Sequence, residues 1–117
     1  MPSSLPDAPT LMKAATKYLE NELLPELSGY HRFKTRVTIN VLATIGRELE
    51  LRDENIARER SRLSRLLGHE GDLEALNEEL CGRIRDGAIA ADDAALREHV
   101  RESLREALAI NNPRWLS

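Results

Sequence analysis

Aromatic side chains are scarce in this sequence. Tyr18, Tyr30, Phe33 and Trp115 make up only 3% of it, so a core must be assembled from Leu, Ile, Val and Ala, and no series of stacking residues for single-stranded nucleic acid is present. Cysteine occurs once, at Cys81, which excludes an intramolecular disulfide or a Cys-based zinc site and points to a reducing compartment, the cytoplasm. No apolar run approaches the roughly 18 residues that cross a bilayer. The opening MPSSLPDAPT has neither a basic n-region nor a long apolar stretch, so neither a spanning helix nor a cleaved leader is expected. An excess of one charge is lacking too: 17 basic against 20 acidic residues leave a net charge of -3, a field that does not favour nucleic acid. No segment alternates with period two, so strands are not expected. Loops of the GxxxxGKS/T or GxGxxG type are missing, and with them the usual means of holding a nucleotide cofactor.

What is present is helical spacing. At 117 residues the chain has room for one domain, covering 1–117, with the Ser- and Pro-rich residues 1–8 expected to be disordered. Pro9 suits the first turn of a helix carrying Leu11, Ala14, Ala15, Tyr18, Leu19 and Leu23, which should stop near Pro25, with Gly29 as a left-handed end. A second helix, His31 to Leu51, has an inward stripe of Phe33, Val37 and Val41 interrupted by Arg36 and Asn40. Asp53 or Asn55 can cap a third, with Ile56, Leu63, Leu66 and Leu67 facing one way and Arg58, Arg60, Arg62 and Arg65 forming a solvated outer face, closed by Gly68. Gly71 and Asp72 open a fourth, striped by Leu73, Leu76, Leu80 and Ile84 and ended by Gly87. Asp92 or Asp93 caps a fifth, striped by Leu96, Val100, Leu104 and Leu108 and stopped by Asn112 and Pro113. The fold class is therefore all-α, a single small bundle of about five antiparallel helices. Gly46 and Gly82, inside helical patterns, mark tight crossings.

Candidate chemistry is sparse. His31, His69 and His99 lie on three different elements without metal-ligand spacing, and no metal site is expected from them. Cys81, beside the Leu80 stripe, reads as a small packed thiol. Adjacent acids such as Glu78 and Glu79 point to different helix faces and make no general acid–base pair. No catalytic constellation emerges. Arg36, Asn40 and Arg47 fall on nearly the same side of the second helix. Either Arg36 pairs with Glu20, Glu22 or Glu26 while Asn40 holds the backbone near Pro25, or the group binds a partner or ligand. Trp115 is either a lid over the end of the core or an exposed interface anchor.

Tyr18-Leu19-Glu20, Leu23-Leu24-Pro25, Phe33, Arg36-Val37, Asn40, Arg47-Glu48-Leu49, Gly71-Asp72-Leu73, Leu76-Asn77 and Asn112-Pro113-Arg114 together resemble a family of small bacterial proteins of unknown function, and the likeness covers nearly the whole chain. Its members are typically encoded beside an aminoglycoside-phosphotransferase-like kinase and an acyl-CoA dehydrogenase. In the catabolism of 4-hydroxy acids the small protein is needed with the kinase that phosphorylates a 4-hydroxyacyl-CoA. The resemblance implies a non-catalytic accessory subunit with that kinase as partner and Arg36, Asn40, Arg47 and Trp115 at the contact or beside an acyl-CoA substrate; it carries over no active site. Two other readings stand beside it: a stand-alone acyl-CoA or small-molecule binding module whose two arginines meet CoA phosphates, and a homodimeric DNA-binding regulator using the third helix. A core this thin also makes self-association a natural supplement.

Overall fold

The computed structural model describes residues 6–116. Every regular element among them is helical, as the periodicity requires. Four α-helices are present: α1 (Ala8–Tyr18), α2 (Gly29–Leu67), α3 (Leu73–Arg85) and α4 (Ala94–Asn111), with a short 3-10 turn at Pro113–Leu116. The chain divides into two compact units, Met1–Leu51 and Arg52–Ser117, with α2 contributing a part to each.

The expected break between a second and a third helix does not exist, and the five-helix count falls to four. From Arg47 to Leu67 there is no proline or glycine, so nothing removes an amide donor or makes leaving the helix cheap. Asp53 and Asn55 sit within the unbroken helix and cap nothing. Glu54 and Arg58, one turn apart, pair across the supposed boundary.

In the first unit, the Asp7 carboxylate accepts from the Thr10 amide at 3.0 Å and Pro9 lies in the first turn of α1. The disorder expected of residues 1–8 falls outside the described residues for 1–5, while Asp7 and Ala8 already belong to the helix start. Pro25 ends this helical run in two steps, a π-turn at Leu19–Leu23 and a 3-10 turn at Leu24–Glu26. A proline ring crowds the carbonyl four residues back and offers no N–H, so the backbone first widens and then tightens around it. The freed Leu24 carbonyl accepts from the Leu27 amide at 3.1 Å and from Arg32 Nη1 at 2.8 Å. Gly29, at φ +60°, reverses the chain. The early turns of α1 then lie beside residues 46–50 of α2, with Lys13 Nζ 3.3 Å from Glu50 and the Met12 Cβ 3.4 Å from where a Cβ on Gly46 would stand.

That close approach sets which face of α2 is covered. Ile39 and Gly46 are buried, with Leu42 and Ala43 half-buried, whereas Phe33, Val37 and Val41, expected inward, are exposed. The expected stripe of the first helical run is split: Leu11, Ala14, Ala15 and Tyr18 are exposed and Met12 and Thr16 take the inward side of α1, while Leu19 and Leu23, in the π-turn, are half-buried as expected. Small side chains let helix backbones approach, so the flatter face of α2 wins the contact over the bulkier one.

In the second unit the core is a leucine cluster. Leu63 and Leu76 are fully enclosed, Leu67, Leu80 and Leu96 nearly so, with Leu66, Leu73 and Ile89 packed against them. Each buried leucine contributes about 1.5 to 3 kcal/mol relative to exposure. Asp72 caps α3 through the Ala75 amide at 2.9 Å, and Asp93 caps α4 through the Leu96 amide at 3.0 Å. Gly68 and Gly87, both at positive φ, follow α2 and α3 as left-handed ends. The α4 stripe is displaced like that of α2: Leu96 is buried, but Val100 and Leu104 face out, and His99 and Ser103 take the inward side. Gly82 has open space around it and marks no crossing.

Candidate functional site

Arg62 stands at the centre of the most developed polar cluster, although its place among Arg58, Arg60 and Arg65 predicts a solvated face. One turn before Leu66 and just before the enclosed Leu63, it lies along the flank of α2 that meets α4. Its Nη1 and Nη2 grip the Glu106 carboxylate at 2.9 and 3.0 Å, Nη2 also donates to Ser103 Oγ at 3.2 Å, and Nε donates to His99 Nδ1 at 3.2 Å. Four of its five N–H groups are thus engaged. The Arg62 and Glu106 side chains are only 11% and 15% exposed. A pair so enclosed survives because its geometry is bidentate and its remaining hydrogen-bonding groups are occupied.

The protonation pattern follows from these contacts. A guanidinium cannot accept, so His99 Nδ1 must be the acceptor and the imidazole proton sits on Nε2. Burial pushes the His99 pKa below its usual value and the neighbouring Arg62 charge pushes it further, against a weaker opposing pull from Glu59 and Glu106. The hydrogen bond to Glu106 in turn holds the Arg62 pKa above its ordinary value. His99 is therefore a neutral acceptor at Nδ1, and Ser103 Oγ likewise accepts from the Arg62 cation. This combination fastens α4 to α2 and leaves no imidazole lone pair turned toward the serine. Beside it opens a cleft of about 250 Å³ lined by Arg62, Arg65, Leu66, Ala95, Glu98 and His99. His99, Ser103 and Glu106 are spaced at i, i+4 and i+7, a polar stripe that the sequence displays and that the leucine stripe beside it overshadowed.

A second polar link joins the turn after α2 to α3. His69 Nε2 lies 2.6 Å from Glu79 Oε1 and its Nδ1 3.0 Å from the Glu70 carbonyl, while Arg83 pairs with the other Glu79 oxygen at 2.5 Å. The Glu70 carbonyl first, and then Glu79, raise the His69 pKa. Asn77 Nδ2 donates to Glu59 at 3.1 Å, a further tie from α3 to α2.

The residues singled out from sequence are not gathered into one pocket. Arg36 and Asn40 are exposed on α2, and Arg36 forms no ion pair with Glu20, Glu22 or Glu26, so the internal pairing expected as one alternative is not what holds it. Arg47 is half-buried, donates to Thr44 Oγ1 at 3.3 Å and borders a cleft of about 160 Å³ with Met12 and Gly46 that does not include Arg36. Trp115 is 75% exposed on the closing 3-10 turn, where its amide donates to the Asn112 carbonyl at 3.1 Å; it is not a lid. Cys81 is exposed rather than packed, because one residue past Leu80 is about 100° further round the helix. Among the described residues no three His, Cys, Asp or Glu side chains gather as a metal site, and no helix is long and apolar enough to cross a membrane.

No curated protein and no solved structure matches the chain. A family model does match, over residues 25–115, and these take in the Arg62–Glu106 clamp between α2 and α4, the leucine core, the exposed stripe of α2 and Trp115. The chain therefore belongs to the family described as Domain of unknown function (DUF6285).

Proposed function

We propose that this chain is a non-catalytic accessory subunit, working in the cytoplasm, of a phosphotransferase-like kinase that acts on hydroxyacyl-CoA thioesters. The observation that carries the reading is Trp115. A tryptophan three-quarters exposed, on a turn fastened by the helix-stopping Asn112, is a costly thing to leave in water, and such residues dominate the energetics of protein interfaces. On α4, Val100 and Leu104 are uncovered as well. Arg36 and Asn40, both exposed on α2, are suited to a polar rim, with Arg47 behind them. The best-organised polar cluster, around Arg62, acts as a fastening between helices, which suits a scaffold. The family likeness supplies the kinase and the hydroxyacyl-CoA as partner and substrate.

The test is co-expression with the kinase encoded beside this gene, followed by co-purification and a turnover assay on a 4-hydroxyacyl-CoA. Trp115→Ala should weaken the complex at least tenfold while leaving the melting temperature unchanged, and Arg36→Ala should weaken it less. A kinase rate indifferent to added protein would refute the proposal. Calorimetric binding of CoA esters by the isolated chain would favour the stand-alone binding module instead, and salt-dependent binding to duplex DNA would favour the regulator.

A further inference from the structure

We infer that the cleft between the second half of α2 and the start of α4 binds a small free monocarboxylic acid, its carboxylate held by His99 Nε2 and Arg65 and its aliphatic chain laid on Leu66 and Ala95. The cleft, of about 250 Å³, is walled by these four residues together with Arg62 and Glu98. All six belong to the second compact unit. Sites for drug-sized ligands begin at roughly 300 Å³, so the occupant is a short molecule.

The donor is His99. Only 7% of this residue is exposed, and Arg62 Nε donates to its Nδ1 at 3.2 Å, which leaves the ring proton on Nε2. That Nε2–H has no acceptor among the described residues. Yet no buried side-chain nitrogen or oxygen there goes without a partner, so Nε2 reaches open space, and the cleft is open space that His99 lines. A guanidinium thus fixes the tautomer and the orientation of a nine-tenths-buried imidazole before any ligand arrives. One preorganised N–H at the wall of a cleft is a receptor for an anionic oxygen.

The charges on the wall fix the valence of that anion. Arg62 is neutralised by Glu106, and Glu98 lies 2.9 Å from Arg101. Arg65 is exposed and pairs with no carboxylate among the described residues, although it also borders a neighbouring cleft that Glu70 lines. One uncompensated cation matches one negative charge, whereas a phosphate dianion would bring a second beside Glu98 with nothing to meet it. Leu66 and Ala95 offer the rest of the ligand only apolar side chains, so its body is aliphatic. Each methylene fully buried against them strengthens binding up to about fourfold. A CoA thioester has no free carboxylate at its acyl carbon, so the cleft takes the acid and not the thioester. Its occupancy is therefore independent of the kinase reading.

Calorimetry and proton–nitrogen NMR on the full chain, near neutral pH, test this with acetate, butyrate, butyramide and inorganic phosphate. Butyrate should bind saturably with a Kd of about 1 mM, at least about threefold tighter than acetate, and should slow solvent exchange of the His99 Nε2 proton. Butyramide, which lacks the charge, and phosphate, which carries too much of it, should bind at least tenfold more weakly than butyrate. Arg65→Met, at an exposed position, and Ala95→Leu, which fills the cleft, should each weaken butyrate binding at least tenfold with an unchanged melting temperature. His99→Gln can still accept from Arg62 and donate into the cleft, so it should keep binding within a few fold, and His99→Leu should lose it. No saturable binding of butyrate at tens of millimolar, butyramide or phosphate binding as tightly as butyrate, or an Arg65→Met chain that binds unchanged would overturn the inference.

Discussion

Removing the Glu106 carboxylate is the sharpest probe of what holds α4 to α2. Glu106→Ala leaves the Arg62 guanidinium, whose side chain is only 11% exposed, facing Ser103 Oγ and His99 Nδ1 with two of its four hydrogen bonds and its nearest counter-charge gone, and only the weaker pull of Glu59 and Glu102 remaining. Breaking an enclosed ion pair by deleting one partner costs about 3 to 5 kcal/mol, because the remaining charge is left without compensation. The residual exposure admits some water, so the lower end, about 3 kcal/mol, is expected. For a chain of this size that is a fall in melting temperature of roughly 10 °C or more. Urea unfolding followed by circular dichroism, at fixed protein concentration because self-association would add to the apparent stability, gives the number directly. Two controls locate the cause. Glu98→Ala, which removes an exposed partner of Arg101, should change stability by less than about 0.5 kcal/mol, and the double replacement Arg62→Met with Glu106→Leu should recover most of the loss, since apolar residues of similar size carry no desolvation cost. A Glu106→Ala loss below about 1 kcal/mol, or a double variant no better than the single, would refute the clamp reading.

Two smaller outcomes follow from the same geometry. Gly82→Ala should stabilise by about 0.5 to 1 kcal/mol, since the position is helical and no neighbouring atom lies within 4 Å of the added methyl; a loss on thermal melting would show that helix α3 is crowded there after all. Protonation gives opposite signs at two histidines. The depressed His99 pKa means the unfolded chain takes up a proton that the folded chain refuses, so His99 lowers stability as pH falls below about 6.5 and on through its folded value. The raised His69 pKa stabilises fully below about 6.5 and ceases to do so as pH rises through its folded value. His99→Gln should therefore flatten the acid-side decline in urea stability between pH 5 and 6.5, and His69→Gln should remove a loss of stability that sets in as pH rises above about 6.5. An unchanged slope in the His99 variant would remove the burial argument.

Local signals that act within one turn were legible in the chain. Asp72 and Asp93 are the caps, Pro25 and Gly29 the first stop, Gly68 and Gly87 the left-handed ends, and the stripe of Leu63, Leu67, Leu76, Leu80 and Leu96 the core. Each rests on one or two side chains and their own backbone. Cap-competent residues at Asp53 and Asn55 misled because a cap residue permits a helix to begin without obliging the previous one to end. Arg62 was misplaced because an arginine among arginines looks solvated until a carboxylate on another helix is found for it. For the same reason Arg36 was expected inward, next to valines that turned out to face water.

The all-helical class and the helix starts were thus determined by the sequence alone, through propensities and hydrogen bonds that reach no further than four residues. Which side of α1, of the first half of α2 and of most of α4 became interior was decided only in three dimensions. Both α2 and α4 carry more than one face able to pack, and the choice went to the close approach at Gly46 in one unit and to the pairing of Arg62 with Glu106 in the other. Periodicity reports that an apolar stripe exists; only the arrival of a neighbouring helix determines whether that stripe is covered or left for another molecule.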